Sequence, residues 1–316
     1  MVYSMGESKI MELSIIIPFI GEYPQVMFTI QAVAQQFIDR ADFEIVAVDN
    51  YIENHPRISI SENKSGPAIA CTQRGNPWLK YVQYQSDLSH WQAKRYGVKK
   101  STGKYLMFVD AHVMPSRNSL YGMFEYYKNS SRNHEGTFHL PVTYKILEYH
   151  RMIYKLLVEH ECFYDYRFTP YPNRETKTFE IPCMSTCGMI ISRELYDKIG
   201  GWPNTLTTYS GGEHFINFTL AVCGFKKWIF PYGTLFHHGA PRDYSYEYDG
   251  LAYNRLLSHY LFGGKSLLDR FQKVVKGKPA AIDQLAKKAM KDGFAQRQHI
   301  KKSQTMLIEE WRSTWI

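Results

Sequence analysis

Two short apolar runs with a helical spacing between them constrain this chain more than any other feature. Residues 13–19 (LSIIIPF) and 43–49 (FEIVAVD) are rich in β-branched residues and lack polar alternation. Runs of that length and composition fit strands buried on both faces. Between them, residues 24–39 place Val26, Ile30, Val33 and Phe37 at helical spacing. A strand, a helix and a second buried strand form a βαβ unit, which requires a parallel sheet.

The pattern continues. Residues 79–84 read as a third strand, 90–100 as a helix, and 104–109 (KYLMFV) as a strand that delivers Asp110. Helix and strand follow over 118–128 and 136–142. Residues 160–186, rich in Tyr, Pro and Phe without clear period, read as loops and short strands. A strand is expected over 187–191, helices over 192–200 and 213–223, and a strand over 226–236 that runs into His237-His238. Beyond 250 the chain reads as helical to its end, with amphipathic faces at Leu267, Leu268, Phe271, Val274, Val275 and at Ile282, Leu285, Ala286, Ala289, Met290.

Composition supports a folded body. Of 316 residues, 44% are hydrophobic and 22% charged, which allows a large core and excludes disorder as the main state. No run approaches the roughly 18 apolar residues of a membrane span. The N-terminus MVYSMGESKIMELS lacks a basic segment followed by an apolar one, so no secretory signal is expected. Five cysteines, an odd count, disfavour a disulfide framework or a zinc knuckle. A reducing, cytoplasmic location is the expectation.

Charge is unevenly placed. The chain carries 38 basic and 30 acidic side chains, of which 12 and five fall after residue 262. Residues 1–262 are near neutral, whereas the last 54 carry +7. Residues 1–250 are therefore expected to form the catalytic body and 251–316 a basic helical extension. Such an extension suits an anionic partner, either nucleic acid or, as a peripheral contact, a membrane surface.

Three motifs carry candidate chemistry. Asp110-Ala111-His112 lies where a strand ends, the position at which open α/β sheets bind ligands. A carboxylate and an imidazole one residue apart suit Mn²⁺ or a similar divalent ion. In Ser210-Gly211-Gly212-Glu213-His214, two glycines permit a tight turn, and Glu213 opens a helix. Held at a cleft, that carboxylate could take a proton from a hydroxyl. The His237-His238 doublet follows a strand and offers a further imidazole ligand.

In this order the motifs resemble those of the GT-A glycosyltransferases, particularly the family 2 glycosyltransferases and the polypeptide N-acetylgalactosaminyltransferases. The resemblance covers about residues 12–242, in SIIIPF, IVAVDN, AKRYGVKKSTGKYLMFVDAHV, CGMIISRELYDKIGGWPNTL and GGEHFINFTLAVCGFKKWIFPYGTLFHHG. It implies a mixed, mainly parallel sheet flanked by helices, a nucleotide-sugar donor, a divalent metal (Mn²⁺ or Mg²⁺) and transfer to a hydroxyl. By the same resemblance, Pro18 and Asp49 line the nucleoside pocket, Asp110 and His112 form the metal motif, and Glu213 is the acidic catalytic residue. His237 and His238 both remain possible as the third metal ligand, with His238 preferred. His214 stands where the family usually has Asp, and Asn50-Tyr51-Ile52-Glu53 replaces the usual acidic, Ser/Thr-rich turn, so the donor base is not inferred.

Arg242 or Lys94 could contact the diphosphate, and residues 242–249 could close over the donor. Trp202 and the Tyr-rich 164–171 stretch are candidates for stacking on sugar or base. The basic extension suggests DNA carrying a hydroxymethylpyrimidine as acceptor, with host cytoplasm as the site of action if the chain is phage-encoded. A cytoplasmic enzyme building a surface or capsular glycan is the alternative. A non-catalytic binding module on a degenerate GT-A fold is a third reading, and oligomeric state stays open.

Overall fold

The computed structural model describes residues 11–130, 134–144, 151–157, 164–171, 176–239 and 242–316. The first ten residues, read above for a signal, and parts of the Tyr-rich 160–186 stretch lie outside the described residues.

The chain opens with β1 (Leu13–Phe19), α1 (Gln25–Phe37), β2 (Phe43–Asp49), α2 (Ser65–Gln73), β3 (Leu79–Gln83), α3 (His90–Lys100) and β4 (Tyr105–Phe108). β1 pairs parallel with β2 on one side and β4 on the other, and β2 pairs parallel with β3. Every residue of β1 and β2 is buried, including Ser14 and Glu44, which bond to each other across the pair at 2.7 Å. The strand period of two splits their side chains between two cores. Ile16, Val46 and Val48 face the layer that contains Trp91 of α3, and Ile15, Ile17, Ile45 and Ala47 face Val26, Ile30, Val33 and Phe37 of α1.

Next come β5 (Val113–Pro115), α4 (Ser119–Asn129), β6 (Gly136–His139), β7 (Val142–Thr143), β8 (Met152–Leu157), β9 (Asp165–Pro170), β10 (Phe179–Glu180), β11 (Met189–Ser192), α5 (Arg193–Lys198), α6 (Gly212–Val222), β12 (Lys226–Ile229) and β13 (Leu235–His237). The main sheet has eight strands in the order β10-β12-β6-β11-β4-β1-β2-β3, with β11 antiparallel to both neighbours. A second sheet of five strands runs β5-β13-β7-β8-β9.

One expectation changes here. The single strand expected over 226–236 is two strands in different sheets, because residues 230–234 include Pro231 and Gly233, which leave the ladder. The short strands expected within 160–186 include β9, which pairs antiparallel with β8 and sets Tyr154 opposite Phe168 and Lys155 opposite Arg167.

The chain ends in α7 (Tyr248–Phe271), α8 (Pro279–Ser303) and α9 (Ile308–Ser313). Their apolar faces share one core with α6: Phe218 packs on Phe262 and Trp311 at 5.2 and 5.8 Å between ring centroids. Leu256, Leu257, Leu261, Ile282, Ala286, Ala289 and Ile300 belong to that core. Most of the basic residues beyond 262 are exposed, on the outer side of these helices or in the turn before α8, while Arg297 turns inward and donates to the Leu261 carbonyl. Among the described residues, no helix is long and apolar enough to cross a membrane.

Candidate active site

A cavity of about 790 Å³ opens where β1, β4, β13 and the start of α6 meet the second sheet. Its wall includes Pro18, Glu22, Asp110, His112, Glu213, His237 and Arg242.

At one end, Asp110, His112 and His237 offer ligand atoms that all lie within 4.8 Å of one another. The main-sheet strand β4 delivers Asp110 just past its end. β5 follows at once, and its antiparallel register with β13 sets His237 opposite Val113. That pairing brings the third residue from more than 100 positions away. His238 is not part of the cluster; its backbone N–H donates to the His112 carbonyl at 2.9 Å. Successive side chains of a strand point to opposite faces, so only one histidine of the doublet can face Asp110. The preference for His238 is corrected to His237, whose Nε2 lies 3.7 Å from Asp110 Oδ2.

Glu22 was not singled out in the sequence. Its Oε1 lies 2.9 Å from His112 Nδ1, which leaves Nε2 of that ring as the free donor. Burial alone would lower the His112 pKa, but the Glu22 carboxylate outweighs it and raises it. Glu22 Oε2 accepts from the Ile20 N–H at 2.9 Å, so the turn after β1 fixes the carboxylate. Gly-Glu after a strand was the available signal, but nothing local shows that residue 22 would meet residue 112.

Lys94 is buried, and its Nζ sits 3.3 Å from Asp110 Oδ1 and 3.0 Å from Thr186 Oγ1. Burial opposes ionisation of Asp110, yet Lys94 and the neighbouring imidazoles hold its pKa well below the usual carboxylate range. Lys94 therefore lies behind the carboxylate and not on the cavity wall, which corrects its expected contact with a diphosphate. α3 places it there: Ser89 caps the helix by accepting from Gln92 N–H, and Trp91, Lys94 and Val98 share its buried side.

At the other end, Glu213 opens α6. Its Oε1 accepts from Thr186 N–H at 3.0 Å and Ser185 Oγ at 3.1 Å, and its Oε2 accepts from Tyr166 O–H at 2.8 Å. Gly211 has φ +76°, and a Cβ there would lie 2.7 Å from Asn254 backbone atoms, so the turn that aims Glu213 depends on glycine. Thr186 joins the two ends, touching Lys94 through its hydroxyl and Glu213 through its N–H.

Around Glu213 stand Tyr144, Tyr154, Tyr166 and the group Asp165–His214–Arg255. His214 Nε2 is 3.0 Å from Asp165 Oδ1, and Arg255 of α7 lies 3.6 Å from Oδ2. His214 is buried beneath Tyr166, at 4.8 Å between ring centroids. Tyr166 is the member of the 164–171 stretch that reaches Glu213. Trp202 is instead fully buried, edge-on to Phe108 at 4.6 Å, and its Nε1 donates to the Gly212 carbonyl.

Pro18 lines the cavity, but Asp49 does not; Asn50 takes its place. Asp49 is 1% exposed and accepts from Tyr51 N–H, Asn63 Nδ2 and Tyr81 O–H. Burial raises its pKa against those bonds. Its expected base contact is corrected accordingly. Arg242 stacks over Tyr209 at 4.2 Å on the rim. The segment it opens is tied down: Ser59 N–H donates to the Asp243 carbonyl and Ser245 N–H to the Arg57 carbonyl.

A mixed sheet with such a cavity at the ends of its parallel strands is a GT-A fold. Residues 14–200, more than half of the chain, match the family model described as glycosyl transferase family 2, and the chain belongs to that family. It is similar to N-acetylgalactosaminyltransferase 6 of Drosophila melanogaster, 21% identical over 242 residues that cover 75% of this chain and 35% of that protein. The chain thus spans about a third of the length of that curated relative. Among solved structures, GalNAc-T7 with UDP, GalNAc and Mn²⁺ aligns with a TM-score of 0.65 at 16% identity, over 90% of this chain and 57% of that one. S. aureus TarS 1-349 in complex with UDP-GlcNAc aligns with a TM-score of 0.54 at 13% identity, over 90% of this chain and 73% of that one.

Proposed function

We propose that this chain transfers a sugar from a nucleoside diphosphate sugar to an acceptor hydroxyl. The convergence of Asp110, His112 and His237 at the ends of β4 and β13 carries the proposal. One carboxylate and two imidazoles are a donor set that suits Mn²⁺, and they open onto a cavity large enough for a nucleotide sugar. A divalent ion held there would supply Lewis-acid neutralisation of the departing diphosphate.

The remaining steps belong to the protein. Glu22 fixes the His112 ring so that Nε2 faces the site. Lys94 keeps Asp110 ionised from behind. Arg242, held on Tyr209, brings a second cation to the diphosphate. Glu213, oriented by Tyr166, Ser185 and Thr186, takes the proton of the acceptor hydroxyl. Tyr144, Tyr154 and Tyr166 form an aromatic wall beside it on which a ring-bearing acceptor stacks.

Two acceptors are proposed: a surface or capsular glycan, and a hydroxymethylpyrimidine in DNA. The test is a screen of nucleotide sugars with Mn²⁺, with and without hydroxymethylated DNA, scored by release of the nucleoside diphosphate. Release that disappears in Asp110→Asn supports transfer; binding of nucleotide sugar without any release points to a non-catalytic module. Sugar incorporated into the DNA selects the nucleic-acid acceptor.

A further inference from the structure

The structure assigns to the outer face of α8 a docking site for an anionic lipid surface, an assignment independent of the catalytic reading. Lys287, Lys291, Phe294, Gln298, Lys301 and Lys302 are all exposed. Their spacing of three or four residues sets them along one side of the helix, about 22 Å from end to end at 1.5 Å per residue. The opposite side, with Ile282, Ala286, Ala289, Gly293 and Ile300, is buried. The packed face and the basic face are therefore fully separated on one helix.

Lys287, Lys291, Lys301 and Lys302 form no ion pair among the described residues, whereas Lys288 at the flank is taken by Asp292. Asp283, at the N-terminal end of the same side, is the acid that interrupts it, and Gln272 contacts it at 3.4 Å. The turn before α8 extends the field with exposed Lys273, Lys276 and Lys278.

Phe294 decides the class of partner. It is 58% exposed in the middle of the basic stripe, and Val274 is 40% exposed among the lysines of the preceding turn. A duplex backbone pairs with cations and offers an exposed phenyl ring no apolar surface to enter. A bilayer offers both: anionic headgroups for the ammonium groups and an acyl boundary for the ring between them.

Sedimentation of the full chain with vesicles tests this. The protein is expected to pellet with vesicles rich in phosphatidylglycerol and to stay in solution with phosphatidylcholine alone. K287Q/K291Q/K301Q/K302Q should lose the interaction, and F294S should weaken it several-fold even where salt screens the lysines. F294W should gain a vesicle-induced blue shift over the wild-type emission. Nucleotide-sugar turnover in solution should be unchanged in all of these variants, so failure here is separable from failure of the proposed catalysis. Absence of pelleting with anionic vesicles, or pelleting that F294S leaves intact with no shift in F294W, overturns the assignment. So does preferential retention on duplex DNA in competition with the vesicles.

Discussion

The two ends of the cavity are built in different ways. At the metal end, Asp110 and His112 come from a single turn between β4 and β5, and His237 alone is brought from a distant strand, β13 of the second sheet. At the acceptor end, Tyr166 comes from the second sheet, Glu213 from α6 and Arg255 from α7. Two of the three residues at the first end lie within residues 14–200, the span that the family model matches, whereas Glu213 and Arg255 at the second lie beyond it. Chemistry common to a family is expected where the scaffold is stiffest, and selectivity where separate elements meet.

Substitutions that separate the ends sharpen this contrast. The largest effect is expected at Asp110. Asp110→Asn should abolish turnover and also destabilise the fold by about 3–5 kcal/mol, because it strands the buried Lys94 amine. Adding Lys94→Met should restore much of the melting temperature but none of the turnover. If the double variant melts as low as the single one, the pair is not what ties charge to stability at this end.

Glu213→Gln should lower turnover by about 10²–10⁴-fold with Mn²⁺ affinity unchanged, the signature of proton transfer lost at the acceptor end. A parallel loss of Mn²⁺ affinity, measured by calorimetry, would mean that Thr186 couples the ends tightly enough to act as one site. Glu22→Gln should do the reverse, weakening Mn²⁺ by about 10–100-fold through the His112 ring. Tyr166→Phe should raise the acceptor KM several-fold and leave donor hydrolysis intact.

An effect on stability and not on turnover follows from His139 and His259. Burial lowers both pKa values to about 3. Neutral His139 bonds to Thr137 and the Ser185 carbonyl, and His259 to the Arg255 carbonyl. Each is neutral when folded and takes a proton when unfolded below its ordinary pKa. Stability should therefore be complete above about pH 6.5 and fall with acidification toward pH 3, by about 1.4 kcal/mol per pH unit for each histidine. His259→Gln should flatten the slope by one proton in chemical melts across that range. Since His259 underlies the acceptor end, acid should loosen that end first.

Legibility in the sequence follows the same division. β1, α1, β2, α3 and β4 are recoverable because apolar period and length are local properties. Asp110, His112 and Glu213 are recoverable because each sits at an abrupt junction of strand or glycine turn with a helix or loop. β8 was not, since Met152, Tyr154 and Leu156 on one face and Ile153 and Leu157 on the other break the alternation of apolar and polar residues. Neither was the choice between His237 and His238, nor the roles of Asp49 and Lys94, which depend on the direction in which side chains leave their backbone.

The order of apolar runs by itself determined a parallel sheet covered on both faces, and the +7 charge of the last 54 residues determined that their outer side would be basic. Tertiary structure alone decided which imidazole joins Asp110, that Glu22 backs His112, and that Lys94 serves the carboxylate from within. The reason is physical: burial and periodicity act over neighbouring residues, whereas a strand register slipped by one position would exchange His237 for His238. That register is set by the pairing of β13 with β5 and β7 within the second sheet, not by the residues that it brings together.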